Sequence, residues 1–285
     1  MERKINMSEI KKPSLSKTKT IAPILLNYMS IFLVATVWIS TIIFGLYILA
    51  FYVFAVFSGE LMQWNEVLPG LYDSNNSSAT IGIGIHFIAG GIILILGCIQ
   101  LINPVRKRYP IFHRLVGRLY IIASLTAAIG GLTFILLKGT IGGWVMDLGF
   151  SLYGILMFIA AIQTVRYARQ KQFEQHRAWA LRLFALALGS WLYRIDYGFW
   201  MLLADGYAHT ETFKGSFDQV MSFFFFIPNL IVAEIVIGRF TFFKKPIVQL
   251  LGALILFLVS IFLTIGSYFF IKHIWGPAII GAFWN

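Results

Sequence analysis

Seven apolar runs constrain this chain more than any other feature, at about 28–57, 80–103, 115–137, 146–165, 178–203, 220–238 and 247–271. Each is near the roughly 20 residues that a helix needs to cross a bilayer's hydrocarbon core. Strands are excluded as the spanning element, because the runs lack sustained polar alternation and are about twice the length of a membrane-barrel strand. The sequence therefore predicts an all-α, polytopic transmembrane helical bundle of about seven spans. With 59% hydrophobic and 12% charged residues and a mean hydropathy of +0.80, the chain leaves no room for a separate soluble domain. The organisation reads as a basic tail over 1–26, a single transmembrane domain over 27–271 and a short outer tail over 272–285.

Orientation follows from the lysines and arginines. The net charge of +11 is gathered in alternate connections and not along one surface, so it argues for topology and against a nucleic-acid partner. The basic class comprises the N-terminal tail (Arg3, Lys4, Lys11, Lys12, Lys17, Lys19), 105–118, 166–177 and 239–245. The opposite class holds only Lys138, Lys214 and Lys272, with acidic stretches at 60–73 and 205–218. By the positive-inside rule the N-terminus is cytoplasmic and, after seven crossings, the C-terminus is outside, in a multi-pass protein of the cell (cytoplasmic or inner) membrane. Trp64, Trp144, Trp200, Trp275 and Trp284 then fall at the outer boundary, where an aromatic belt is expected. Cys98 is the one cysteine, so no disulfide, CxxC pair or thiolate metal site forms within the chain. No metal site is expected, since three histidines spread over two membrane depths cannot converge on one zinc.

Ionisable residues inside spans are costly in lipid and are the first candidates for function. In the second span His86, Gly90, Ile93, Gly97 and Gln100 share a helical face, and in the third His113, Gly117, Tyr120, Ser124, Ala127 and Gly131 do the same. Such small-residue faces serve either close helix packing or a site. His113-Arg114 followed by Arg118, and His176-Arg177 followed by Arg182, each open a helix entering from the basic side. Spans three and five run in the same direction, so His113 and His176 should lie at similar depth. Near the other face, Arg194 and Asp196 stand ~24–27 Å along the fifth span at 1.5 Å per residue. His86 lies at comparable depth and is a candidate partner for Asp196. Glu234, behind Pro228 and Asn229, is placed to neutralise Arg118 or Arg182. His209 and His273 show no pattern, and no phosphate-binding or nucleophile-elbow motif occurs.

The segment from about 80 to 200 resembles a family of predicted membrane proteins called domain of unknown function 2306. The resemblance rests on His86 at the start of a glycine-rich span, on Pro110-x-x-His113-Arg114-x-x-Gly117-Arg118-x-Tyr120, and on His176-Arg177-x-Trp179 followed by Arg182. It implies a membrane location and no established activity. A looser similarity is to two-haem transmembrane cytochromes of the b561 type, whose histidines on alternate helices pair across a haem. It implies one haem b between His113 and His176, with Arg114, Arg118, Arg177 or Arg182 meeting the propionates. His86 has no histidine on span four, which departs from the two-haem pattern and leaves Tyr153 or Met157 as its opposite ligand. Three functions stay open: a haem b membrane redox protein, a transporter or anionic-lipid-binding protein using the basic His/Arg cluster, and a non-catalytic assembly protein. Enzymatic activity is undecided, and the partners expected are the bilayer and an anionic lipid or small-molecule substrate.

Overall fold

A computed structural model describes residues 21–238 and 245–284, and these are helical with short connections and no strand. The tail basic residues, and Arg239 and Lys244, lie outside the described residues. Ten main helices follow one another: α1 (Ile21–Ile48), α2 (Ser77–Gln100), α3 (Pro110–Leu137), α4 (Trp144–Arg169), α5 (Phe173–Ala187), α6 (Gly189–Ala204), α7 (Ser216–Phe224), α8 (Ile227–Gly238), α9 (Pro246–Phe270) and α10 (Gly276–Trp284). Six continuous helical stretches among the described residues are long and apolar enough to cross a membrane. The apolar run at 178–203, fifth in chain order, is not among these six because it is broken: α5 and α6 meet at Leu188, beside the small pair Gly189-Ser190, a common site of helix kinks. The α7–α8 crossing bends where Pro228 lacks the N–H that would bond one turn back. There Asn229 Nδ2 donates to the Phe225 carbonyl at 3.0 Å.

Local signals account for the helix ends. Asn76 caps α2 by accepting from the Ala79 amide at 3.1 Å, and prolines occupy the first turn of α3 and α9. α1 runs on through a π-helical turn, Leu49–Val53, to Ser58, and α9 through another, Ile271–Trp275, into α10. The segment read as an outer tail is thus helical in its described part.

Close packing is carried by glycines. A Cβ on Gly130 of α3 would stand 2.5 Å from the Gly82 carbonyl of α2, and one on Gly45 of α1 would stand 2.9 Å from the Gly91 carbonyl. These contacts seat α2 between α3 and α1, as small residues do where apolar lipid supplies no hydrophobic drive for association. The antiparallel α2–α3 pair joins the two faces read from the sequence: His86 meets Gly131, Gly97 meets Tyr120 and Gln100 meets Gly117. Gly90 is the exception, with nothing within 4 Å of an added Cβ. At the other side Trp191 Nε1 and Ser267 Oγ both donate to Ser40 Oγ, at 2.8 and 2.6 Å, and tie α6 and α9 to α1.

Two of the expected belt tryptophans belong to the core instead. Trp64 and Trp275 are 2% and 1% exposed, and Trp275 packs on Phe44 and Phe270 with ring centroids about 5 Å apart. Each fills space opened by a π-helical turn or a glycine, which sequence position alone does not reveal. Trp144 is exposed, as a belt residue would be, and the Trp284 side chain is outside the described part.

Candidate functional site

We refer to the end bearing 105–118 and 166–177 as the inner end, following the charge rule. The outer half of the bundle encloses a cavity of about 690 Å³, walled by the π-helical turn after α1 and by α2, α3, α4 and α6. Its outer rim is formed by the connections at 67–71 and 138–141. Most of the wall is apolar. His86, Tyr153, Tyr193, Arg194 and Tyr197 supply polar groups deep in the wall, and Tyr52, Lys138, Thr140 and Ser190 supply others, so two of the intramembrane residues picked from the sequence face one space.

His86 Nδ1 lies 2.8 Å from the Ala127 carbonyl. A carbonyl only accepts, so this nitrogen carries the proton and a neutral ring keeps its lone pair on Nε2. Gly131 allows the ring to lie flat against α3, since a Cβ there would be 2.8 Å from Nδ1.

Arg194 reaches the cavity because Ser190, Tyr193, Arg194, Tyr197 and Met201 share one face of α6. Its guanidinium donates from Nη1 to the Ser190 carbonyl at 2.9 Å and stands 5.0 Å from the Phe44 ring centroid, with the Tyr52 hydroxyl beside it. The carboxylates of the described pairs engage other groups: Asp73 binds Lys138, Glu234 binds Arg182 and Asp218 accepts from His209 Nδ1. Among the described residues no carboxylate is paired with Arg194.

The expected pairing of His86 with Asp196 does not form. His86 is held by Ala127, and Asp196 makes no hydrogen bond or ion pair among the described residues and is not part of the cavity wall. Residues two apart on a helix point to opposite sides, so turning Arg194 into the cavity turns Asp196 away from it.

At the inner end His113 and His176 do come near each other and interact electrostatically, together with Arg106. His176 Nδ1 is 2.9 Å from the Thr164 carbonyl, and by the same reasoning its Nε2 is unprotonated in the neutral ring. His113 Nδ1 is buried without a partner. The four arginines divide. Arg114, Arg118 and Arg177 are exposed, whereas Arg182 holds Glu234 by a two-pronged bond of 2.5 and 2.9 Å and lies over the Trp179 ring. No group of three or more histidines, cysteines or carboxylates suited to a metal ion occurs among the described residues.

Of the wall tyrosines the sequence reading named Tyr153 alone, as an alternative axial ligand, and it missed Tyr193, Tyr197 and the outer carboxylate. The face shared by Ser190, Tyr193 and Tyr197 was legible as a helical repeat around Arg194. Asp218 was not. It is fully buried and accepts from Tyr197, His209 and the amides of Thr210 and Gly215, and that convergence needs the loop to fold back.

A family model described as "Predicted membrane protein (DUF2306)" matches residues 83–237, a stretch from α2 to α8 that carries His86, His113, His176, Arg194 and Glu234. No curated protein and no solved structure matches the chain.

Proposed function

The chain belongs to the domain of unknown function 2306 family of predicted membrane proteins, and from that premise we propose that it binds a small organic anion with an apolar body in the outer-half cavity, as a carrier or receptor in the cell membrane. One observation carries this reading: Arg194 stands in a mostly apolar cavity of about 690 Å³ and, among the described residues, has no paired carboxylate. Arginine stays protonated under all physiological conditions, and an ionised group inside a membrane protein is kept by a partner or a function. A carboxylate or phosphate on the ligand supplies that partner through charge-assisted bonds. The volume suits a ligand of drug-like size, and the balance of apolar wall and few polar groups is that of a small-molecule site. His86 Nε2 and the cavity tyrosines add further polar contacts.

The test is a thermal-shift measurement on the protein in lipid nanodiscs with decyl phosphate, decanoate and uncharged decanol as probes. The anionic probes are expected to raise the melting temperature of the wild type and not of Arg194→Gln, with decanol inert on both. Equal shifts in the variant, or none in the wild type, would remove the proposal.

A second reading takes His113 and His176 as axial ligands of one haem b. What favours it is the engagement of His176 Nδ1 by Thr164, the usual way a ligating imidazole is oriented, and the nearness of His113. A bound haem would supply one-electron chemistry, with Arg114, Arg118 and Arg177 as the cations left for propionates. An absorption spectrum of haem-replete protein before and after dithionite decides it. Soret and alpha bands lost in His176→Ala support the reading, and a flat spectrum ends it.

A further inference from the structure

The hydrogen bonds of the cavity wall fix where its protons point. Tyr153 donates its phenolic proton to the Leu186 carbonyl at 3.0 Å, and Tyr197 donates its own to Asp218 Oδ1 at 2.8 Å. The His86 Nδ1 proton is held by the Ala127 carbonyl at 2.8 Å. All three side chains belong to the wall of the one outer-half cavity, and all three commit their proton to the protein. A phenol or a neutral imidazole in that state has lone pairs left and no hydrogen to give. The commitments run one way: a carbonyl oxygen only accepts, and the Asp218 carboxylate accepts from the Thr210 and Gly215 amides as it does from Tyr197.

These acceptors surround one cation. His86 stands on α2, Tyr153 on α4 and Tyr197 on α6, one turn on from Arg194. The Arg194 guanidinium interacts electrostatically with both His86 and Tyr153. A ligand whose acid group meets Arg194 thus lays its apolar body beside groups that accept. His86 Nε2 is the strongest of them, because a phenol oxygen shares its lone pair with the ring, and it has no hydrogen-bond partner among the described residues.

A ligand that fills the cavity strips water from these lone pairs. One without a donor leaves them unpaired, which weakens binding, and one with a hydroxyl in reach pairs them again. A site arranged to bond a hydroxyl discriminates against the analogue that lacks it.

We propose that the cavity selects hydroxy acids: the acid group meets Arg194, a ligand hydroxyl donates to His86 Nε2, and Tyr153 and Tyr197 accept from further hydroxyls. This rests on the reading of the cavity as an anion site and adds the substrate class, an amphipathic anion that bears hydroxyl donors. An ether oxygen in the hydroxyl's place brings a second acceptor to His86 and gains nothing.

The experiment is calorimetric titration of the full chain in lipid nanodiscs, with empty nanodiscs subtracted. The probes are decanoate, 3-hydroxydecanoate and 10-hydroxydecanoate, which carry the donor near to and far from the acid, and the two matching methoxy acids. At least one hydroxy acid should bind wild type about two- to tenfold tighter than decanoate, the worth of one net hydrogen bond. Its methoxy counterpart should bind no tighter than decanoate. In His86→Phe the hydroxy acid and decanoate should bind equally. The methoxy comparison is made on the wild type and needs no variant to fold. Decanoate binding that Arg194→Gln abolishes, with no gain from either hydroxyl, would overturn this proposal and leave the anion site standing. Equal gains from hydroxyl and methoxy groups, or a gain that persists in folded His86→Phe, would overturn it too. Failure of every acid to bind would remove the anion site and this proposal with it.

Discussion

Gly131 of α3 and His86 of α2 stand in direct contact: a Cβ added at Gly131 would lie 2.8 Å from His86 Nδ1, the same atom that the Ala127 carbonyl holds at 2.8 Å. The ring is thus clamped between one turn of α3 and the cavity. Gly131→Ala should push it off Ala127 and destabilise the protein by about 1–3 kcal/mol, the usual range for an overpacked position. Gly90→Ala on the same helix as His86 meets nothing within 4 Å and should stay within about 0.5 kcal/mol of wild type. Denaturant-titrated unfolding in mixed micelles compares them, and equal stabilities would show that the α2–α3 contact tolerates a methyl group.

Asp218 is the anchor of the outer loop between α6 and α7. Three of the loop's non-glycine residues, Asp205, Ala208 and Phe213, have φ of 49°, 62° and 55°, a left-handed backbone that disfavours a side chain. The Asp218 carboxylate compensates through Tyr197, His209 and the amides of Thr210 and Gly215. Replacing Asp218 by Asn weakens its hydrogen bonds to these partners and is expected to cost about 1.5–3 kcal/mol, the range for hydrogen bonds to a charged group. Hydrogen exchange over 205–215 should accelerate far more than over α2, because the loop loses its tether while the glycine-packed pair does not.

The Arg182–Glu234 bond joins α5 to α8 across the inner half, with Nε and Nη2 each donating to one carboxylate oxygen. Glu234 is about half exposed, so its contribution is modest. A double-mutant cycle with Arg182→Gln and Glu234→Gln should give a coupling of about 1 kcal/mol. Zero coupling would leave Arg182 available to an external anion.

At the outer rim, Lys138 Nζ lies 2.9 Å from Asp73 Oδ2 and is part of the cavity wall. The hydrogen bond from Lys138, followed by that from the Asn75 amide, holds the Asp73 carboxyl below the usual aspartate range. The sign is that of a depressed acid: the pair contributes fully above the unfolded value near ~3.9 and is lost as pH falls through the lower folded value. Lys138→Gln should therefore melt below wild type at neutral pH, and the two curves should converge only in strong acid. Convergence already at pH 6 would contradict the assignment.

Much of this protein was legible before any coordinates. Apolar runs of span length fix where helices cross, because backbone groups in lipid have no partner outside a helix or a closed barrel. The clusters at 105–118 and 166–177 orient them, and His86 and Arg194 stood out because ionisable groups are rare within spans. The two glycine faces were also visible, although whether they met each other was not.

Tertiary structure decided the rest. The sequence shows that Arg194 and Asp196 face different neighbours, but only the rotation of α6 about its own axis selects which of them enters the cavity. That rotation is set by packing: the break at Leu188–Gly189, the Trp191 bond to Ser40 on α1 and the Gly198 contact with Phe270 of α9. Partners far apart in sequence, such as Tyr120 with Gly97 or His176 with Thr164, likewise meet only once helices are seated against one another. A periodic pattern assigns residues to a face of a helix, and the neighbours that the face meets are chosen by the close approach of glycines and the filling of space between helices.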